Sequence, residues 1–240
     1  MKHEKKLIVN GNVVLPGHVS QVSLLVENGK IKALLDEGMD VPADCEVIDA
    51  LGKTVMPGMI DSHNHMADPG PYNFREDWYC GSCSAASGGI TTICDMPLPS
   101  EPATIDRPGF ELKKGIAEQR SVVDFALWGG IVGDYDNQPG SVKNNMADLV
   151  DLHKCGVAAF KGFTCPNGDL FPTVNMGNVR KALEILKPYG ALCGFHCEEF
   201  GQVLEREKEA KAKPEGPAKR KSGISWIPMM CGPSMLPLKM

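Results

Sequence analysis

Val55-Met56-Pro57-Gly58-Met59-Ile60-Asp61-Ser62-His63-Asn64-His65-Met66-Ala67-Asp68-Pro69-Gly70 is the stretch that decides the fold. An apolar strand runs into two histidines and then stops at Pro-Gly. Side chains alternate faces along an extended strand, so His63 and His65 point the same way. Two imidazoles converging where a strand ends make half of a metal site. The competing reading is a pair of solvated loop histidines, against which the apolar entry and the Pro-Gly exit both weigh.

From residue 55 onward, strand-like and helix-like stretches alternate, which predicts βα units and a parallel sheet. Strands are expected at Val55–Ile60, Ile90–Cys94, Val122–Trp128, Val157–Lys161 and Ala191–His196. Helices are expected over about Phe74–Ser87, Asp106–Arg120, Asn145–Cys155, Met176–Leu186 and Glu198–Lys213. Pro108 suits a first helical turn, and Gly88-Gly89 suits a helix end. The fold class is therefore α/β: a partial TIM-like (β/α) barrel over residues 55–222, with a small β domain over 1–54 in front of it. That N-terminal domain reads as short strands at Leu7–Val9, Val22–Val26, Lys30–Leu34 and Val47–Ala50, with a hairpin turn at Asn28-Gly29. Residues 223–240, rich in Met and Pro and without periodicity, read as an irregular tail.

Composition narrows the function. At 240 residues the chain can bury a sizeable core. A net charge of −5 argues against nucleic acid or an anionic membrane as the main partner. No apolar run is long enough to span a bilayer, and the charged N-terminus does not read as a signal peptide. Nine scattered cysteines, an odd number, fit reduced thiols and a cytoplasmic location. Cys80, Cys83, Cys193 and Cys197 could hold a structural zinc, but small buried hydrophobes are the plainer reading.

In a parallel βα barrel the chemistry sits at the carboxyl ends of the strands. His63 and His65 fall at that edge of the first expected strand, Lys161 at that of the fourth and His196 at that of the fifth. Apolar residues flank Lys161, and a buried lysine is costly unless it is paired or loses its charge. It can then serve as nucleophile or base, or react with carbon dioxide to give a carbamate that bridges two metals. A lysine snorkelling to solvent is the alternative. His18 and His153 have no such context, and His153 is expected to be exposed on a helix.

Taken together, these stretches resemble the cyclic amidohydrolases: allantoinase, dihydroorotase and the hydantoinase/dihydropyrimidinase group. The matching residues are Pro57 to His65, Pro69-Gly70, Gly88 to Thr92 with Asp95-Met96-Pro97, Phe160-Lys161-Gly162-Phe163, and His196-Cys197-Glu198. Their order and spacing agree along about residues 5–215. The resemblance implies a (β/α)₈ barrel with a small β-sandwich, and a binuclear site, usually zinc. His63 and His65 would bind one metal, carbamylated Lys161 would bridge both, and His196 would bind the second. It also implies hydrolysis of a C–N bond in a small cyclic amide or ureide, and homo-oligomers, often tetramers.

Met96 to Thr104 resembles the allantoinase version of its loop, whereas dihydroorotases would have Asn where Leu98 stands. Ala67 stands where dihydroorotases carry an Arg for the substrate carboxylate, and losing that bidentate clamp argues against dihydroorotate. Allantoinases usually carry Asn there, so Ala67 departs from them too. Ala67 and Leu98 are thus the candidate substrate-binding positions. The expected function is allantoinase-like ring opening in purine breakdown, with a hydantoinase/dihydropyrimidinase or a non-catalytic half-barrel as alternatives. About five of eight βα units are present. The family's later metal histidine and catalytic aspartate have no counterpart, since no His follows His196 and no Asp follows Asp169. The reading is a C-terminally truncated member.

Overall fold

The computed structural model describes residues 5–36, 38–39, 44–133, 144–165 and 171–212. Asp169 and the segment 223–240 expected to be an irregular tail lie outside the described residues. The chain divides into two compact units, Met1–Gly58 and Met59–Met240.

The first unit holds β1 (Lys5–Val9), β2 (Asn12–Leu15), β3 (His18–Gln21), β4 (Ser23–Glu27), β5 (Lys30–Leu35), β6 (Cys45–Asp49) and β7 (Thr54–Val55). They form one sheet in the order β5-β4-β1-β6 and another in the order β3-β2-β7. Asn28 and Gly29 both take positive φ, 52° and 74°, which the tight turn between β4 and β5 requires. The β2–β3 hairpin was not expected from the sequence. Its turn is Pro16-Gly17, with Gly17 at φ 87°, and its strands are too short to show a pattern. Leu7, Val13 and Leu24 are buried and give both sheets a share in the unit's core.

The second unit holds β8 (Met59–Asn64), β9 (Ile90–Asp95), β10 (Asp124–Gly130), β11 (Ala159–Phe163) and β12 (Cys193–His196). All pair in parallel, in the order β12-β11-β10-β9-β8. Between and after them come α1 (Trp78–Ser87), α2 (Arg107–Arg120), α3 (Leu149–Cys155), α4 (Met176–Leu186) and α5 (Phe200–Ala212). The result is a curled parallel half-barrel of the α/β class. Trp78, Phe110, Leu127, Leu149, Leu152, Phe160 and Leu186 fill the space between sheet and helices.

Several boundaries differ from the sequence reading. The first barrel strand begins at Met59 rather than Val55, because Pro57 cannot donate to a ladder and Gly58 adds a second break. The fourth runs Ala159–Phe163, so Lys161 is its middle residue and not its end. The third is displaced in the same direction, to Asp124–Gly130. Helix α1 starts at Trp78 because the Asp77 carboxylate caps it, accepting from the Cys80 N–H at 2.7 Å. Helix α3 starts only at Leu149, because Asn145 is used elsewhere. The buried Asn145 amide donates to the carbonyls of Ile105 (2.7 Å) and Gly130 (2.8 Å) and accepts from Val132 N–H (3.0 Å).

One ion pair lies wholly inside the unit. Lys113, on the inner face of α2, meets the Asp95 carboxylate at the end of β9, and both side chains are fully buried. Lys113 Nζ also donates to the Met96 carbonyl at 2.7 Å, while Asp95 Oδ1 accepts from the Met66 N–H at 2.6 Å. Burial pushes the Asp95 carboxyl above its ordinary range, and the Lys113 ammonium opposes that without cancelling it. Removing one partner of such a pair strands the other in a dry interior. Lys113→Met is therefore expected to lower the unfolding free energy by about 3–5 kcal/mol, measured by urea denaturation.

Candidate metal centre

Strand β8 delivers His63 as its penultimate residue, and His65 follows one residue past its end. Asp61 shapes this exit: its Oδ1 accepts the His63 N–H at 3.1 Å and its Oδ2 accepts Asn64 Nδ2 at 3.1 Å. Just beyond, Met66 N–H is held by Asp95, and the Asn64 carbonyl accepts the Met96 N–H at 2.8 Å. The ends of β8 and β9 are thereby tied together.

His65 Nδ1 lies 2.8 Å from the Leu98 carbonyl. A carbonyl only accepts, so Nδ1 carries the proton and Nε2 presents its lone pair. That Nε2 faces His63 Nε2 at 3.1 Å, with the rings tilted by 52°. Two imidazole nitrogens so placed, one of them fixed as an acceptor by a carbonyl behind it, fit shared ligation of a divalent cation.

Lys161 is 8% exposed on β11, a strand whose five residues are all buried. Its register partners are Gly130 on β10 and Gly194 on β12, and other side chains reach in over both: Ile105 and Phe171 over Gly130, Trp128 over Gly194. Its Nζ lies 5.1 Å from the centre of the Phe163 ring. Burial draws the amine below its ordinary pKa, with the nearby Cys197 and Cys165 acting the other way. His196 ends β12, with its ring stacked on Phe163 at 5.5 Å and its Nε2 2.9 Å from Glu198 Oε1.

The electrostatics of His63 join the four residues. Its imidazole is pushed below the ordinary value first by burial, then by the charges of His65, Lys161 and His196, with Asp61 opposing. His63, His65 and His196, at the carboxyl ends of β8 and β12, thus share one neighbourhood with Lys161 from the middle of β11.

The other sequence candidates fall differently. Ala67 is buried, and its N–H donates to the Glu76 carbonyl at 3.0 Å. Leu98 offers its carbonyl to His65, while its side chain packs against Ala103, Val132, Phe163 and Phe171. His153, expected to be exposed, is half-buried, with its ring 5.1 Å from that of Tyr189. Cys80, Cys83, Cys193 and Cys197 do not converge among the described residues. A different cysteine does: Cys165, His196 and Glu198 bring their donor atoms within 4.8 Å of one another. Burial, and then the Glu198 carboxylate, push the Cys165 thiol up to about 11. Sequence reasoning missed Cys165 because nothing around Thr164-Cys165-Pro166 marks it; its partners lie a whole βα unit later.

Known proteins resemble this chain in sequence and in fold. Residues 46–95 match the model of the amidohydrolase family. The allantoinase of Desulfitobacterium hafniense (strain Y51) is 37% identical over 203 residues, 82% of this chain and 41% of the relative. That of Escherichia coli (strain K12) is 36% identical over 217 residues, 86% of this chain and 45% of the relative. Among solved structures, the L-hydantoinase (dihydropyrimidinase) of Arthrobacter aurescens superposes with a TM-score of 0.76 at 32% identity, covering 88% of this chain and 45% of that one. The D-hydantoinase (dihydropyrimidinase) of Thermus sp. gives 0.70 at 27% identity, covering 86% and 43%. In fold and in sequence the chain is similar to amidohydrolases. More narrowly, it resembles the cyclic amidohydrolases. It spans less than half the length of the relatives it matches. Among the described residues, no helix is long and apolar enough to cross a membrane.

The His63 shift has a measurable consequence. Folded His63 takes a proton only below the ordinary value of 6.5, so the unfolded chain binds it first. The metal-free protein is therefore expected to lose stability as pH falls through about 6.5 and below. In an NMR titration His63 should show a midpoint under 6.5 that moves back toward that value in His65→Asn.

Proposed function

We propose that this chain carries the metal-binding part of a hydrolase that opens cyclic amides at a C–N bond, with allantoin-like ureides as the substrate class. The observation that carries the reading is the meeting of His63 and His65 through their Nε2 atoms, beside a buried Lys161 and His196. Zinc bridged by a carbamate of Lys161 is the proposed cofactor, with His63 and His65 on one ion and His196 on the other. When bound, the ions would lower the pKa of a water and polarise the amide carbonyl.

The chain's own residues prepare for this. The Leu98 carbonyl holds His65 in the tautomer that leaves Nε2 free. Burial lowers the basicity of Lys161, which raises the share of neutral amine at a given pH. Neutral amine attacks carbon dioxide, forming an N–C bond and releasing one proton.

The allantoin preference rests on the Met96–Thr104 loop and on the allantoinase relatives. A hydantoin or dihydropyrimidine substrate is the second reading, favoured by the hydantoinase structures. Supplying ¹³C-bicarbonate and zinc is expected to give a carbamate carbon signal that Lys161→Ala abolishes, with metal retention weakened by at least about 100-fold. Assays with allantoin, hydantoin and dihydrouracil then rank the substrates. A folded protein with no carbamate signal, little bound metal and no turnover would make it a non-catalytic half-barrel.

A further inference from the structure

We propose that Cys165, His196 and Glu198 form a thiolate-containing site for a zinc-class divalent cation at the carboxyl ends of β11 and β12. Among the described residues they are the one group of three such side chains whose donor atoms converge, all within 4.8 Å. Around a tetrahedral zinc, with bonds of about 2.0 Å to N or O and 2.3 Å to S, donors stand roughly 3.3–3.8 Å apart. Small side-chain rotations close the difference.

The backbone holds the two segments together independently of any ion. Thr164, next to Cys165, donates its N–H to the His196 carbonyl at 3.0 Å. The Thr164 hydroxyl reaches the carbonyls of His196 at 3.2 Å and Glu198 at 3.3 Å. The Phe163 ring stacks on His196 and limits its rotation. Cys165 is buried, while His196 and Glu198 are half-buried and open to entering ions. The donors are thus pre-gathered, and two of them, His196 Nε2 and Glu198 Oε1, already touch at 2.9 Å.

The donor set selects the ion. One sulfur, one imidazole nitrogen and one carboxylate oxygen suit zinc, cadmium or cobalt(II) and disfavour magnesium or calcium, which take oxygen donors. On binding, the Cys165 S–H bond breaks, its proton leaves to solvent, and a sulfur–metal bond forms, with no change in oxidation state. Three protein donors leave a fourth position open. The site shares His196 with the binuclear centre proposed above but needs neither a carbamate on Lys161 nor the His63–His65 pair. It uses a cysteine that the sequence reading did not single out.

The test is titration of the full 240-residue chain with cobalt(II) and with cadmium(II), following the thiolate-to-metal charge-transfer absorption. The wild-type chain should show the band at one equivalent of metal. Cys165→Ser should abolish it while circular dichroism stays unchanged. Glu198→Gln should weaken metal affinity by about 10–100-fold. Cys197→Ser and the double variant His63→Asn/His65→Asn should keep the band. A band that survives Cys165→Ser, or a folded wild-type chain that binds metal without one, overturns the proposal. Loss of the band in the double variant also overturns it, because the thiol would then belong to the histidine-pair site. Absence of cyclic-amide hydrolysis with the band intact counts against the hydrolase reading alone.

Discussion

The geometry of the site depends on a carboxylate and an ammonium with no water around them. Asp95 and Lys113 are both fully buried, so each must satisfy the other and spend its remaining hydrogen-bonding capacity on backbone. Asp95 takes the Met66 N–H and Lys113 takes the Met96 carbonyl. Those two backbone groups belong to the segments that carry His65 and Leu98. A charged pair that cannot relax into solvent therefore sets the distance between the His65 ring and the carbonyl that orients it. The pair contributes less through net attraction than through the cost of any arrangement that breaks it.

Sheet register does the rest. In a parallel sheet, register partners put their side chains on the same face, and the partners of Lys161 are both glycine. Larger side chains reach in over those glycines, Ile105 and Phe171 at Gly130 and Trp128 at Gly194, and the Phe163 ring stands 5.1 Å from the amine. The same register sets His196 beside Phe163, two positions along from Lys161. Burial and proximity then act together: the Lys161 amine is less basic because it is dry, and His63 resists protonation first through burial and then through the charges of its neighbours.

Much of this was legible in the chain and some was not. The His-x-His spacing at the end of an apolar run carries its own geometry, and the fold confirms that both rings face the same way. The apolar flanks of Lys161 announced its burial. Strand limits were less readable, because apolar residues continue on both sides of Pro57 and only the missing N–H says where pairing starts. Lys113 gave no signal: in Leu112-Lys113-Lys114 it looks like its neighbour Lys114, which pairs with Glu118 at the surface. Only the position of Asp95 on a separate strand distinguishes the two. Cys165 was hidden for the same reason, since a cluster assembled by register has no pattern along the chain.

The strand order carries a consequence for how the protein comes into being. Among the described barrel strands, each one after the first pairs with the one synthesised just before it. A chain emerging from the ribosome can dock unit upon unit, at a loop-closure cost set by one βα segment each time. The histidine pair is laid down first, the lysine joins three strands later, and His196 with its carboxylate neighbour arrives last.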